Sequence, residues 1–420
     1  MRLCRDLRKI KSRQAQTDET AEKAVKEILA DVRARGDAAV RKYTERFDGP
    51  AGKSVRVSEG EIQSAVSNVG VDFMRILRRA YDQLTEYHVN QIERSWSIYK
   101  ENGVIMGQIV RPVQRVALYV PGGTAPYPST VLMNAVPAAI AGVKEIAVFT
   151  PAGTDGKVAD AILAAAACCG IDVIYKIGGA QAIAAAAYGT ETIPKFHKIV
   201  GPGNIYVAAA KRMVYGAVDI DMIAGPSEIM IIADETANPK YIAADMMSQA
   251  EHDLYSSAIL VTTDETVIKE TEAEIVRQAG GLARKEIILS SLENFGAAIL
   301  AENLDHAFEI ANDTAPEHLE ILTENPFEKL SKVQNAGSVF IGENTPEPLG
   351  DYMSGTNHVL PTCGTAKFHS PLGVYDFVKR SAYSCYPREV LSEMKDDVIK
   401  FARMEGLDAH ANSVEVRFND

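Results

Sequence analysis

Two short stretches combine the residue types that move protons in enzymes. "APEHLEI" carries Glu317 beside His318, and "GDYMSGTNHVLPT" carries Asp351 and His358. A carboxylate and an imidazole that share a cleft can act as a general acid–base pair. Glycine and proline interrupt the second stretch, which favours a loop over a long helix. Both stretches are candidate catalytic segments, although a plain hydrophilic surface loop would also explain the second.

The adjacency of Glu317 and His318 requires a particular backbone. Neighbouring residues in a regular helix or strand point to different faces. Because the pair follows Pro316, we expect it near a helix start, where both side chains can project into one cleft. An acid at a helix N-terminus is stabilised by the helix dipole without any catalysis. That alternative explains Glu317 but gives no reason for His318.

A possible metal clip lies in "SQAEHD", where His252 follows Gln249 by three residues. In a helix, both side chains would lie on one face, one turn apart. Many helix faces carry such a pair by chance, so a surface pair without a metal stays open. Together with Asp351 and with His410 of "EGLDAHANS", the pair would suit Zn²⁺ or a neighbouring divalent metal. The four residues lie far apart in the sequence, and their spacing does not show that they meet.

The elements that must position these residues follow a repeated pattern from about residue 113 to 290. The β-branched runs "RVALYV", "EIAVFT", "DVIYKI" and "HKIV" each lead into a glycine-containing turn and a helical run, and "EIMIIADE" and "SAILVTTDE" repeat the alternation. This pattern is typical of a parallel sheet with helices on both faces. It predicts an α/β fold with two doubly wound, incomplete Rossmann-like domains. Residues 1 to about 110 are predicted to be mostly helical, and a mixed tail is expected from about 330.

The glycine turns bear on nucleotide binding. Turns at the carboxyl ends of parallel strands are common ligand sites, and helix N-termini there favour phosphate. "GPGNIY" has the first two glycines of a dinucleotide fingerprint, but Tyr206 stands where the third would be, and "GGAQAIA" lacks the spacing. Nucleotide binding and simple tight turns without a ligand therefore both stay open.

Composition restricts the class of protein further. The net charge of −12 argues against a nucleic-acid partner, because phosphate binding requires a basic face. No stretch is long and apolar enough to predict a membrane span. Five irregularly spaced cysteines fit a reducing cytoplasm. The basic start "MRLCRDLRKIKSR" lacks the apolar core of a signal peptide, and we interpret it as a helical arm.

Seven motifs in this order carry a family resemblance: "YVPGG", "GPGN", "AGPSE", "SQAEHD", "APEHLE", "GDYMSGTNHVLPT" and "EGLDAHAN". Together they resemble the histidinol dehydrogenase family over roughly residues 20 to 415. The resemblance implies oxidation of L-histidinol to L-histidine in two NAD-dependent steps, the last reactions of histidine biosynthesis. It also implies one Zn²⁺ per site and a homodimer whose active sites are shared between subunits.

The resemblance also implies roles for individual residues. The expected zinc ligands are Gln249, His252, Asp351 and His410. The expected catalytic pair is Glu317 and His318. The expected substrate contacts are Ser227, His358 and Glu405, together with His318 and the four zinc ligands. The expected NAD contacts are Tyr119, Gln181 and Asn204. Cys363 and His369 receive no role, and Cys363 is interpreted as a small packed side chain.

These expectations give a domain division. The predicted domains are an N-terminal arm (1–20), a first α/β domain with the metal and catalytic residues (21–112 plus 228–372), a second α/β domain on the NAD side (113–227), and a C-terminal tail domain that reaches the partner subunit (373–420).

Two other classes of function stay open. A zinc hydrolase would work without NAD, and a non-catalytic nucleotide-binding protein would leave Glu317 and His318 unused. Relatives that oxidise other small alcohols also stay open.

Overall fold

The computed structural model of the protein describes residues 3–7, 19–49, 54–122 and 126–419. Most of the predicted N-terminal arm, along with Pro50 and Gly123 of two predicted turns, lies outside the described residues. The chain divides into two compact units. The first comprises Met1–Gln91 and Val113–Phe377, and the second comprises Ile92–Pro112 and Val378–Asp420.

The first unit contains both predicted parallel sheets. Its strands are β3 (Arg115–Tyr119), β4 (Glu145–Thr150), β5 (Ile174–Lys176), β6 (Lys198–Val200), β7 (Asp219–Ile220), β8 (Glu228–Ala233), β9 (Ser257–Thr262), β10 (Gly296–Leu300), β11 (His318–Leu322) and β12 (Ser338–Ile341). One sheet has the order β5-β4-β3-β6-β7, the other has the order β10-β9-β8-β11-β12, and all pairs are parallel. The predicted doubly wound α/β class is confirmed.

Helices cover these sheets. They are α1 (Glu19–Arg35), α2 (Asp37–Phe47), α3 (Glu59–His88), α4 (Pro128–Ala141), α5 (Asp160–Cys168), α6 (Gly179–Tyr188), α7 (Ile205–Val214), α8 (Pro239–Ala250), α9 (Glu265–Ala279), α10 (Lys285–Phe295), α11 (Leu304–Thr314) and α12 (Glu347–Tyr352). Short 3₁₀ turns occupy Val89–Gln91, Pro326–Lys332, Thr365–Lys367 and Val374–Phe377. Several helices begin at side-chain caps. The Asn204 side chain, for example, accepts hydrogen bonds from the second and third backbone N–H groups of α7.

Each sheet is buried on both faces. Along β3, Val116 and Leu118 point into one apolar core, whereas Ala117 and Tyr119 point into the core on the opposite face. Strands β9 and β11 are buried along their whole length. Strands buried on both faces carry continuous apolar runs instead of alternating ones. This is why the β-branched runs in the sequence identified these sheets.

The second unit is built differently. Strands β1 (Trp96–Tyr99), β2 (Ile105–Pro112) and β13 (Val378–Cys385) form an antiparallel sheet, followed by helices α13 (Arg388–Met404) and α14 (Asp408–Glu415). The mostly helical prediction for residues up to about 110 was wrong for β1 and β2. Strand β1 is exposed and β2 is mostly half-buried, so neither carries a buried apolar run. In the described part of the chain, no helix is long and apolar enough to cross a bilayer.

Candidate active site

The candidate catalytic pair lies at the amino end of strand β11. His318 is the first residue of that strand, and its Cα partner on the neighbouring strand β8 is Ile229. The prediction of a nearby helix start was wrong: helix α11 ends at Thr314, and Ala315 adopts a left-handed conformation with φ of 52°. The chain therefore passes from a helix end into a strand. This irregular entry places both side chains against the backbone of one residue, Glu228.

The His318 ring is held in a defined orientation. Its Nδ1 atom lies 2.9 Å from the backbone carbonyl oxygen of Glu228, and its Nε2 atom lies 3.6 Å from Oε1 of Glu347. A carbonyl oxygen only accepts, so Nδ1 carries the hydrogen and donates, which leaves the lone pair on Nε2. Burial lowers the pKa of His318 to about 4. The ring is therefore neutral near pH 7, with Nε2 available as a base.

Glu317 is a buried carboxyl group. Its Oε2 atom accepts a hydrogen bond from the backbone N–H of Glu228 at 2.8 Å and lies 3.6 Å from Nδ1 of His318. Burial raises the pKa of Glu317 well above its ordinary value, and the negative charges of Glu228, Asp351 and Glu347 act in the same direction. A carboxyl group with a raised pKa is suited to proton transfer near neutral pH.

Asp351 and His358 form a second acid–imidazole pair. Oδ1 of Asp351, on helix α12, lies 3.3 Å from Nδ1 of His358, in the loop that follows. Burial acts to raise the pKa of Asp351, but the hydrogen bond with His358 and the nearby imidazoles of His318 and His252 outweigh it and hold the pKa below its ordinary value. Asp351 is therefore a carboxylate with imidazoles nearby, and carboxylate and imidazole groups are both ligands of Zn²⁺.

Donor atoms for a metal converge here. One ligand atom from each of His318, Glu347 and Asp351 lies within 4.8 Å of the other two. Gln249, at the carboxyl end of helix α8, is buried, and its Oε1 accepts no hydrogen bond from any described residue. A buried oxygen without a partner is costly unless a ligand satisfies it. The donor set of nitrogen and oxygen atoms fits Zn²⁺.

His252 is close enough to this centre to affect its charges. It follows helix α8 and is half-buried, and its positive form would lower the pKa values of Asp351 and His318. The structure therefore brings together five of the predicted residues around the amino end of β11, namely His252, Glu317, His318, Asp351 and His358. Gln249 directly follows Ser248, whose hydroxyl group contacts Glu347. Ser227 precedes β8 directly, beside Glu228. Glu405 and His410 belong to the second unit, where both are exposed.

Two acidic residues of this centre were missed by the sequence reasoning. Glu347 is buried, and its Oε2 accepts a hydrogen bond from the Ser248 hydroxyl at 3.3 Å. Burial, followed by the charge of Asp351, raises the pKa of Glu347 to about 8. Glu228 contacts the catalytic pair through its backbone, and its Oε2 accepts a hydrogen bond from the backbone N–H of Cys363 at 3.2 Å. Glu347 precedes Asp351 by four residues, a helical spacing that could have identified it.

A second cleft lies at the carboxyl ends of the first sheet. It has a volume of about 1390 Å³ and is lined by residues that include Tyr119, Gln181 and Asn204, the three predicted NAD contacts. The Oη atom of Tyr119 accepts a hydrogen bond from the backbone N–H of Gly179 at 3.0 Å, and burial raises the pKa of Tyr119 to about 12. Ligands of doubly wound sheets bind at this edge.

The polar groups of this cleft also fit a bound molecule. Gln181 Nε2 donates to Oδ2 of Asp48 at 3.3 Å, whereas Gln181 Oε1 is buried and accepts no hydrogen bond from the described residues. Asp48 Oδ2 also accepts from the backbone N–H of Gly178 at 2.8 Å, at the start of helix α6. Asp48 therefore fixes the Gln181 amide so that an acceptor oxygen stays available. The size and chemistry of the cleft suit a dinucleotide.

The fold and this centre define an α/β enzyme with a buried acid–imidazole pair and a candidate metal site. The sequence profile of the family described as histidinol dehydrogenase matches residues 11–418. The chain is 58% identical to histidinol dehydrogenase from Lactococcus lactis over 98% of this chain and 96% of that protein. It is 56% identical to the enzyme from Clostridium acetobutylicum over 97% and 95%, respectively.

A solved structure agrees with these relatives. The crystal structure of histidinol dehydrogenase from Elizabethkingia anophelis has a TM-score of 0.91 and 39% sequence identity, and the alignment covers 96% of this chain and 93% of that one. The chain belongs to the histidinol dehydrogenase family and is an oxidoreductase. The resemblance carried by the seven sequence motifs is confirmed.

Proposed function

We propose that this chain is an NAD-dependent, zinc-containing histidinol dehydrogenase that oxidises L-histidinol through histidinaldehyde to L-histidine, the last steps of histidine biosynthesis. The observation that carries the proposal is the hydrogen bond from His318 Nδ1 to the Glu228 carbonyl, which leaves Nε2 as a buried neutral base. Family membership supplies the substrate class. Asp351, whose donor atom lies within 4.8 Å of a ring nitrogen of His318, would place the proposed metal, and the substrate imidazole on it, near this base.

For the metal, we propose the ligands Gln249, His252 and Asp351, with His410 of the partner subunit as the fourth. Bound Zn²⁺ would supply a Lewis acid that orients the imidazole and amino groups of the substrate. The buried Oε1 of Gln249, which has no hydrogen-bond partner among the described residues, and the Asp351 carboxylate with its nearby imidazoles support this assignment. We propose that Ser227, His358 and Glu405 contact the remaining polar groups of the substrate.

In the first oxidation, His318 acts as the base. Nε2 accepts the proton of the substrate hydroxyl group, while the carbon-bound hydrogen leaves as hydride and the aldehyde forms. Because the carbonyl oxygen of Glu228 holds Nδ1, the opposite ring nitrogen, the imidazole keeps its orientation when Nε2 becomes protonated. Bound NAD⁺ would supply the hydride acceptor for this step and for the next. The reactive aldehyde has to stay bound while the cofactor exchanges.

In the second oxidation, Glu317 acts on water. Its carboxylate accepts a proton from a water molecule as the water oxygen adds to the aldehyde carbon. His318 returns the proton that it took in the first step to the former carbonyl oxygen, which gives the gem-diol. A second hydride then leaves that carbon, one gem-diol proton is released, and the carboxylic acid of histidine results. Burial places Glu317 in a weakly hydrated site, where a raised pKa makes the carboxylate a stronger base.

For the cofactor, we propose the cleft at the carboxyl ends of the first sheet. Tyr119, Gln181 and Asn204 line it. Gln181 Oε1 has no hydrogen-bond partner in the described part of the chain and offers an acceptor to a donor group of NAD. The substrate centre and this cleft use different residues. That separation allows the first NADH to leave while the intermediate remains held at its imidazole end.

We further propose a homodimer with shared active sites. In the described part of the second unit, the buried hydrophobic residues are Val104, Ala402 and Ala411. In contrast, many large apolar side chains of that unit are exposed, including Trp96, Tyr99, Phe401 and Met404. Exposure of this many large apolar side chains is typical of a unit that is covered by a protein partner. We also propose a cytoplasmic location, because five irregularly spaced cysteines fit a reducing compartment.

The test is NADH formation with L-histidinol, compared with amino alcohols that lack the imidazole ring. We expect activity on L-histidinol, loss of activity after zinc removal by a chelator, and recovery on addition of Zn²⁺. Other amino alcohols should react poorly because they lack the imidazole that the metal orients. Turnover that does not require NAD would support a hydrolase instead. Equal rates with alcohols lacking the ring would contradict the substrate assignment.

A further inference from the structure

A buried ion pair contacts the turn that leads to Asn204, which lines the proposed cofactor cleft. Lys211, on helix α7, contacts Oδ1 of Asp221, which follows strand β7. Their side chains are 3% and 1% exposed, respectively. Burying two charges costs much of what their attraction provides, so a buried pair is weak grounds for assuming a stabilising role. Neither residue lines the cleft. The role of the Lys211–Asp221 pair must therefore be sought in the groups that the two side chains contact.

Those groups belong to a single glycine. The backbone N–H of Gly201 donates to Oδ2 of Asp221 at 2.7 Å, and Nζ of Lys211 donates to the backbone carbonyl oxygen of Gly201 at 3.0 Å. The two charges thus bind both polar groups of one residue. Hydrogen bonds to charged groups are stronger than neutral ones. The backbone of Gly201 is consequently fixed in two directions at once.

Gly201 occupies a conformation that needs such support. Its φ is +111°, in the left-handed region that favours glycine. A Cβ atom at this position would lie 2.1 Å from the backbone oxygen of Tyr119, so the turn packs against the end of strand β3. Asn204, three residues later, caps helix α7 and lines the cleft. The geometry of Gly201 therefore sets the distance between two proposed NAD contacts.

We propose that Lys211 and Asp221 are positioning residues of the cofactor cleft, which hold Gly201 and, through it, the turn from Gly201 to Asn204 in the conformation that binds NAD. The proposal rests on the proposed function, because it assigns this cleft to NAD. Displacing a binding group by about 1 Å can cost up to about 100-fold in catalytic efficiency. Loss of the pair is thus expected to weaken NAD binding without changing the chemistry at His318.

The chain offers a matched control. Lys198 and Asp219 form another lysine–aspartate pair between strands β6 and β7, with 2.8 Å between Nζ and Oδ2. These two residues begin their strands, whereas Gly201 follows the other end of β6. Lys198→Met removes a buried, aspartate-paired lysine from strand β6 without removing a contact of the Gly201 turn. It should lower stability without raising the KM for NAD.

The experiment measures KM for NAD, KM for L-histidinol and kcat in Lys211→Met, Lys198→Met and the double variant Lys211→Met/Asp221→Leu. The double variant leaves no uncompensated buried charge, so it should remain folded if the single variant does not. We expect KM for NAD to rise about tenfold or more when Gly201 loses its anchors. KM for L-histidinol and kcat at saturating NAD should stay near the wild-type values.

Two results would overturn the proposal. One is a folded double variant with the wild-type KM for NAD, and the other is a rise in that KM with Lys198→Met as large as with Lys211→Met. Asn204→Ala distinguishes this failure from a failure of the proposed function. If Asn204→Ala raises the KM for NAD while the double variant does not, only the positioning role fails. If Asn204→Ala also leaves that KM unchanged, the assignment of NAD to this cleft is wrong and the positioning role fails with it.

Discussion

The backbone carbonyl oxygen of Glu228 lies 2.9 Å from Nδ1 of His318, while the N–H of the same residue donates to Oε2 of Glu317 at 2.8 Å. One residue on strand β8 thus orients both members of the proposed catalytic pair on the neighbouring strand β11. The two contacts involve backbone atoms, so substitution of the Glu228 side chain leaves the contacting groups in place. Glu317 and His318 are therefore oriented by the backbone of the same residue but through different groups, which allows the two side chains to have different roles.

This arrangement predicts that the two oxidations can be separated. Glu317→Gln keeps the size of the side chain and its acceptor oxygen but removes the basic carboxylate, so water activation should slow by roughly 10²–10⁴-fold. Histidinaldehyde oxidation should suffer more than histidinol oxidation. In contrast, His318→Asn should slow the alcohol step at least as much as the aldehyde step. Single-turnover NADH formation from each substrate, after zinc content is verified, measures both effects.

Equal slowing of the two steps by Glu317→Gln would contradict this division of roles. It would make Glu317 a positioning residue, whose carboxyl group holds His318 in place across the 3.6 Å between them.

The metal assignment makes a separate prediction. His252→Ala removes one of four proposed ligands, so the site should bind zinc more weakly, and metal and activity should be lost together. Zinc content is measured by mass spectrometry after dialysis, and activity is measured on the same sample, which shows whether metal and activity are lost together. His306→Ala, which removes a histidine at the amino end of helix α11, is a matched control that should retain its metal. Full zinc occupancy in His252→Ala would remove His252 from the ligand set.

The shared-site proposal predicts complementation between inactive variants. Subunits with His252→Ala and subunits with His410→Ala each lack one ligand, but a hybrid dimer would contain one site with all four. Mixing the two inactive proteins under conditions of subunit exchange should therefore restore part of the activity. Exchange should be followed with differently labelled subunits. If labelled hybrids form and activity stays absent, His410 does not act across a dimer interface.

Glu347 predicts how stability depends on pH in the zinc-free protein. Its pKa is raised from 4.5 to about 8, so between these values the folded state holds a proton that the unfolded state has released. The contribution of this group to stability is fully present below pH 4.5 and is lost as pH rises through about 8. Glu347→Gln does not titrate. Its unfolding free energy relative to the wild type should therefore increase with pH across this window, by at most about 1.4 kcal/mol per pH unit.

Urea unfolding of chelator-treated protein at several pH values measures this difference. Glu235→Gln replaces an exposed carboxyl group and should leave the pH dependence unchanged. A difference between Glu347→Gln and the wild type that stays constant, or shrinks as pH rises, would show that Glu347 is ionised in the folded state.

Much of the fold was predictable because its strands are buried on both faces. Strands β4, β8 and β9 are runs of mainly apolar residues, each followed by a turn and a helix, and such runs are visible without knowledge of their partners. Strands β1 and β2 were not predicted. The residues of β1 are all exposed, and β2 pairs with β13, which lies near the other end of the chain. Pairing at that distance leaves no local signal.

The candidate site divides in the same way. Asp351 and His358 lie within one loop-rich stretch, so their proximity of 3.3 Å could be predicted from local sequence. The backbone support from Glu228 could not, because a carbonyl group has no side-chain signature. Glu347 had the helical spacing to Asp351, but Pro346 and Gly350 around it concealed a helix of six residues. The domain boundaries and the roles of individual site residues stay predictions.

The most direct test of whether one centre performs both oxidations is the ratio of NADH formed to histidine formed when L-histidinol is limiting. Two successive oxidations at one carbon atom release two hydrides. We therefore expect two molecules of NADH for each molecule of L-histidine, and no accumulation of free histidinaldehyde. A ratio of one NADH for each substrate consumed, with histidinaldehyde as the released product, would contradict the claim that a single centre built on His318 and Glu317 performs both steps.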